Sequence, residues 1–314
     1  MGDRYSPWSA WLDRDHGHRP RRRPTRHPRH CRCTRQRACA AGGGGDRPRR
    51  GFRRISRGRT VNATLVFARK EALEIVRTWR IWVLPAIILF FAITAPVLAR
   101  FTPEIVGAVA GDQLGGISLP PGTYLDAYGQ WIKNLSQITL FALIIIYGGI
   151  ISTETSSGTA ILVLTKPMSR GAFVAVKAII HSVFLAVLTV IGTLATWGLT
   201  AAVFGHAPAD PVWSSALIWL LLGVFYIALM TFFSVLIPSA VGAAGAGMGA
   251  FVLLTIGALW KPLSDHSPAG LAGQAAALAA GKPVPDLLWP VLVSLATAAV
   301  LVAAASLLFR QKEL

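Results

Sequence analysis

PVWSSALIWLLLGVFYIALMTFFSVLIPSAVGAAGAGMGAFVLLTIGALW, residues 211 to 260, runs for 50 positions without Asp, Glu, Lys or Arg. Crossing roughly 30 Å of hydrocarbon takes about 20 apolar residues at about 1.5 Å each. The stretch is too long for one tilted crossing and fits two joined by a tight turn, which Ile237, Pro238 and Ser239 supply. Further apolar runs lie on both sides. They predict six spans at about 81–101, 134–153, 174–197, 213–236, 240–260 and 287–309, and a transmembrane barrel would instead show short alternating strands. The expected fold is an all-α integral membrane protein of six transmembrane helices, preceded by an amphipathic interfacial helix.

Composition agrees with that reading. The 314 residues are 53% hydrophobic and only 14% charged, with a mean hydropathy of +0.52, whereas a soluble chain carries about 25% charged residues. The formal charge of +17 points toward nucleic acid until its distribution is considered. Residues 1–60 hold 18 Arg and no Lys against 4 Asp, and residues 61–314 hold 13 Lys and Arg against 10 Asp and Glu. The basicity belongs to a tail, and nucleic acid is disfavoured as a partner of the body.

That tail, with Arg21, Arg22, Arg23 and the run Gly42 to Gly45, has too little apolar surface to offset its chain entropy, so disorder is expected. It reads as an arm for nucleic acid or anionic lipid, as a transit peptide, or as an over-extended start, with the native chain beginning near Val61. Arg without Lys favours the last. Cys31, Cys33 and Cys39 stand beside His27 and His30, but C-x-C-x5-C lacks the paired spacing of a structural zinc site, and no metal is expected.

Lys and Arg near span ends set orientation. With the N-terminus inside, the cytoplasmic faces carry Arg69, Lys70, Arg77, Arg80, Lys166, Arg170, Lys177, Arg310 and Lys312, and the opposite faces Arg100, Lys133, Lys261 and Lys282. Both termini are therefore expected in the cytoplasm. The external loops are small. Residues 101–133 contain Pro120, Pro121, Gly122, Tyr124, Tyr128 and Trp131, and residues 261–286 contain a short helix over Ala269 to Ala280. Function has to lie in the bundle or in partners.

Two segments on the inner face stand out. Residues 65–80 place Leu65, Ala68, Ala72, Ile75 and Trp79 at helical spacing with Arg69, Lys70, Glu74 and Arg77 largely on other sides, an amphipathic helix suited to the interface plane. It serves as a surface anchor or as an anchor that also docks a partner. Between spans two and three, ISTETSSGTAILVLTKPMSR, residues 151–170, has an apolar middle too short to span, Glu154 before it and Arg170 after it, as helix-end electrostatics favour. It is an ordinary loop or an element shaped for a groove in another subunit.

These segments carry a resemblance. Arg69-Lys70-Glu71 with Arg77-Thr78-Trp79-Arg80, then Glu154, Gly158-Thr159, Thr165-Lys166-Pro167 and Ser169-Arg170, then a short basic C-terminus after six spans, resemble an ABC-2 type transporter permease over about residues 61–314. The resemblance implies a prokaryotic plasma-membrane subunit, multi-pass, that pairs with a separate ABC ATP-binding subunit and a second permease copy, identical or paralogous, and acts as an exporter in the lipid bilayer. It implies no catalytic residue and no cofactor in this chain, with ATP and Mg bound by the partner. Arg69, Lys70, Glu71, Arg80, Glu154, Gly158, Lys166, Pro167 and Arg170 are then the candidates for ATPase coupling.

No G-x4-G-K-[ST] phosphate loop occurs, since the sole Gly-Lys pair, Gly281-Lys282, runs into Pro283. Gly242, Gly245, Gly247 and Gly249 suit close helix packing better than a dinucleotide loop, because no strand precedes them. Neither H-E-x-x-H nor G-x-S-x-G is present, leaving those hydrolase classes unsupported. Spans three to six offer no midplane ionisable group beyond His181, which disfavours an ion-coupled secondary carrier. Thr189, Thr193, Thr196, Thr231 and Ser234 are expected to bond helix backbones. A secondary carrier and a non-transporting scaffold or assembly factor are the alternatives.

Overall fold

The computed structural model describes residues 56–78, 80–110, 120–158, 169–284 and 286–312, with the side chains of 56–63, 80, 109 and 110 left out. The Arg-rich tail up to residue 55, including its Cys and His residues, lies outside the described residues, as do Trp79, Lys166 and Pro167. Among the described residues every regular element is a helix. Six helical stretches are long and apolar enough to cross a membrane.

Helix α1, Ser56–Arg77, ends where the Thr78 hydroxyl bonds back to the Glu74 carbonyl. Helix α2, Arg80–Ala110, follows almost at once. Its 31 residues exceed the length needed to span, at about 1.5 Å each. Leu84, Ile88, Ala92, Ala95 and Ala99 form its buried stripe, and Trp82, Phe90, Ile93 and Leu98 point outward. A helix apolar all round with one packed stripe suits a bundle immersed in lipid.

The second span is longer than its charge-free run. It begins as α3, Tyr124–Asn134, behind a capping box in which Thr123 and Asp126 satisfy each other's backbone N–H groups. Tyr128, Trp131 and Ile132, expected in an external loop, are wholly buried. A run read by charge stops at Lys133, but an exposed lysine does not end a helix whose other faces are packed. A π-turn over Leu135–Thr139 leads into α4, Leu140–Tyr147, and after a kinked turn into α5, Ser152–Ser156.

Helix α6, Arg170–Phe204, is capped by the Ser169 hydroxyl at its start and by left-handed Gly205 at its end. The charge-free stretch resolves into α7, Ala209–Leu236, and α8, Ala240–Gly257, with Ser239 capping the second. At Gly247 a Cβ would fall 2.3 Å from the Met230 sulfur, so α7 and α8 pack this closely only with glycine there. Helix α9, Lys261–His266, a 3-10 turn and α10, Leu271–Ala279, follow, and α10 buries Leu271, Ala275 and Ala279 in a position between α7 and α3. Helix α11, Leu288–Gln311, packs on α6 and α7. The innermost spans are the second and α7, and α8 and α11 lie at the periphery.

Candidate functional site

At the end of the bundle where α1 lies, two buried charged side chains, Lys177 and Glu71, meet a third, Glu154, that is largely enclosed. Lys177, the eighth residue of α6, directs its ammonium at Glu71 Oε2 of α1, 2.7 Å away, and at Glu154 Oε1 of α5, also 2.7 Å away. Lys177 and Glu71 are each 1% exposed. A buried ion survives only when paired and hydrogen-bonded, and here one cation holds two carboxylates from two other elements. Lys70 extends the group toward solvent, 3.0 Å from Glu71 Oε1, 2.5 Å from Glu74 Oε2 and 3.8 Å from Glu154 Oε1. Partial burial works to lower the Lys70 pKa. The bond to Glu74 and the fields of Glu71 and Glu154 outweigh it and hold the ammonium above the ordinary lysine range.

The ion cluster has an apolar flank. The Phe67 ring of α1 lies 5.3 Å from Phe173 of α6, which stacks at 5.4 Å on Phe309 of α11. Lys177 Nζ stands 5.5 Å from the Phe173 centroid, within reach of a cation–π attraction. Glu71 therefore lies between Phe67 and Ile75 on the packed face of α1. This face differs from the Leu65-Ala68-Ala72-Ile75 stripe expected from spacing, because the demands of Lys177 and Phe173 turn α1. Leu65 and Ala72 face outward with Val66, Leu73, Val76, Arg69 and Arg77.

Helix α5 is seated from the other side. Ser234 of α7 accepts hydrogen bonds from the Ile151 and Ser152 amides, both at 2.9 Å, satisfying donors that a helix start leaves without intrahelical partners. Thr189, Thr196 and Thr231 bond to carbonyls of their own helices, as expected, but the buried Thr193 hydroxyl does not. Ser234 instead bonds to the backbone of a segment 83 positions away in sequence. One turn beyond Lys177, His181 packs edge-on against Tyr147 with centroids 4.9 Å apart.

The coupling candidates thus divide. Glu71 and Glu154 meet on Lys177, with Lys70 at their rim. Arg170 donates to the Lys312 carbonyl at 2.5 Å and the Arg310 carbonyl at 3.5 Å, closing the C-terminal turn of α11. Lys312 in turn reaches the Val235 carbonyl at 2.6 Å at the end of α7. Arg69 is exposed on the outward face of α1. Gly158 ends the turn after α5 at φ +73°, a left-handed conformation that glycine adopts without strain. Arg80 opens α2.

Lys177 was legible only as an inner-face charge. Two signals pointed to more: an acid at position i+4 between two large apolar residues of α1, and a lysine in phase with Val174, Ala178 and His181 on the packed face of α6. The carboxylates of Glu71, Glu74 and Glu154 approach within 4.8 Å of one another, close enough to share a cation. The ammonium groups of Lys70 and Lys177 already fill that role. The arrangement joins α1, α5 and α6 through one ammonium.

Six helices long and apolar enough to cross a membrane, with a buried ion cluster at one end of the bundle, make this a polytopic membrane protein. The family described as ABC-2 family transporter protein matches residues 65–277, from α1 to α10. The chain belongs to that family and is a permease subunit of an ABC-2 transporter. The family as a class works with ABC ATP-binding partners and is a transport subunit, generally not itself catalytic. No curated protein matches the chain.

Proposed function

We propose that this chain is the substrate-conducting subunit of an ABC exporter in a prokaryotic plasma membrane, driven by ATP that a separate subunit binds with Mg and hydrolyses. The single observation that carries the proposal is the family match over residues 65–277, which takes in the outward face of α1, α5 and the segment after it. The working unit is two permease copies with two ATP-binding subunits, both permease termini in the cytoplasm. The excess of Lys and Arg on that face supports the orientation.

The surface offered to the ATP-binding subunit is the outward face of α1 around Arg69 together with the segment that follows Gly158, which includes Lys166 and Pro167. Closure of the ATP-binding pair pushes on this surface, and the bundle changes which side of the membrane it opens to. The buried charges of the inner end do not favour an ion-coupled carrier. Lys177 lies seven residues, roughly 10 Å, into a 35-residue helix, at one end and not at its middle, where such carriers place ionisable groups.

Purification from native membranes in mild detergent, with the bound proteins identified by mass spectrometry, tests the reading. A stoichiometric subunit bearing a phosphate-binding loop is the expected result. Recovery of this chain alone, under conditions that keep other transporter complexes whole, overturns it in favour of a carrier or scaffold.

A further inference from the structure

We infer that Lys177 is a positioning residue that fastens α1 and α5 into one moving part, so that force applied to either element enters the bundle through α6. The inference rests on the ATP-driven reading above and assigns its internal linkage. Its basis is geometric. Glu71 and Glu154 are 83 residues apart in sequence and sit on separate elements, yet both end 2.7 Å from the same ammonium. With five residues, α5 is too short to be held by its own helical propensity.

The surroundings remove alternatives for each partner. Glu71 is enclosed between Phe67 and Ile75, and Lys177 is enclosed beside Phe173. Swinging Lys177 to water would leave Glu71 with Lys70 alone and Glu154 with Lys70 at 3.8 Å, and a buried carboxylate that loses a cation at 2.7 Å is costly. Separation of either acid from Lys177 is therefore opposed during a cycle. When the outward face of α1 moves, Glu71 draws Lys177, and Lys177 draws Glu154 with α5 and the segment that follows. His181, one turn along α6 and packed on Tyr147 of α4, carries the same displacement toward the second span.

Glu71 and Glu154 thus act inward, and their effect on an ATP-binding partner passes through Lys177. This differs from a direct contact with that partner, and the two can be told apart. It also differs from a purely structural ion pair, whose loss would be repaired by replacing all three charges with neutral groups of similar volume.

The experiment compares Lys177→Met with the triple variant Glu71→Gln, Glu154→Gln, Lys177→Met, both in the full chain purified with its ATP-binding subunit. The triple variant leaves no unpaired buried charge, so it is expected to insert and to assemble. In both variants the rise in ATP hydrolysis that the partner shows on joining the permease is expected to be lost. Recovery of that rise in the triple variant, or its retention in Lys177→Met, overturns the inference. A second readout does not depend on activity. Spin labels at Val76→Cys and Ser157→Cys, in a chain whose three native cysteines are replaced by serine, report the distance from α1 to α5.

That distance is expected to stay constant between nucleotide-free and vanadate-trapped complexes with the triad intact, and to broaden in the triple variant. A change of about one helical turn, ~5 Å, with the triad intact overturns the linkage. Absence of any ATP-binding subunit from the purified complex would sink the ATP-driven reading instead. The label distances in the lone chain, narrow with the triad and broad without it, would still decide whether Lys177 joins α1 to α5.

Discussion

Replacing Ser234 by alanine should loosen α5 while leaving the rest of the bundle in place. Ser234 Oγ is the acceptor for two amides, Ile151 N–H and Ser152 N–H, each at 2.9 Å. Both of those residues are buried, as is Ser234 itself, so water cannot readily replace the lost oxygen. Leaving a buried donor unsatisfied costs about 1–3 kcal/mol. Two donors orphaned together bring the cost to about 2–6 kcal/mol, which corresponds to local opening favoured by about 30-fold to about 20,000-fold, at about 1.4 kcal/mol per decade.

Amide hydrogen exchange, read by mass spectrometry on peptides covering residues 151–156 of the detergent-solubilised protein, measures that opening directly. Peptides from α7 on either side of residue 234 should exchange as before. Ser182→Ala is the control, because the Ser182 hydroxyl bonds only to the Ala178 carbonyl of its own helix, at 2.8 Å, and its loss should change little. Exchange of residues 151–156 in Ser234→Ala within about threefold of the parent, far below the range derived from two orphaned donors, would refute the claim that Ser234 seats α5.

The remaining predictions test other joints of the same region. Phe173→Ala removes the ring between Phe67 and Phe309 and should destabilise by about 3–5 kcal/mol, seen as a lower unfolding temperature and faster proteolysis of α1. Gly247→Val drives a side chain into Met230 and should cost about 1–3 kcal/mol, with Met230→Ala in the same chain restoring part of the loss in a thermal scan. Lys70→Met removes a side chain that is 44% exposed and should cost under about 1 kcal/mol, a smaller shift than any change at Lys177. The folded-state pKa of Lys70 is raised, so its contribution is whole below the unfolded value of about 10.4 and is lost only as pH climbs through the higher folded value. Lys70→Met should therefore alter the protease resistance of α1 by the same amount throughout about pH 7 to 9, and a Lys70-dependent loss within that window would contradict the assignment.

Most of the fold was legible because lipid makes a simple demand: about 20 apolar residues per crossing. That demand predicted the number of spans, six, and the turn at Ile237 to Ser239. It misplaced the start of the second span because hydropathy measures transfer to lipid, whereas Tyr128 and Trp131 are buried against protein. The facing of α1 was less legible. Its outward apolar residues, Leu65, Val66, Leu73 and Val76, outweigh the packed ones in any periodicity, and the face that binds the bundle contains a glutamate. Periodicity counts that glutamate as solvent-facing, and only the lysine 106 positions away makes it an interior residue.

The same division explains why family resemblance and geometry name overlapping residues with different jobs. Arg69 and Gly158 remain at the surface, where a partner can reach them. Glu71, Glu154 and Arg170 are engaged within the chain, two of them on Lys177 and the third on the carbonyls that end α11. A buried charge is costly to keep, and an apolar replacement of similar volume is often neutral or stabilising. Stability alone therefore gives little reason for three charges to meet at the junction of α1, α5 and α6. A requirement that these elements keep a fixed relation while one of them is pushed gives a direct reason, since an ion pair in a low-dielectric setting resists separation over distances at which dispersion contacts have already failed.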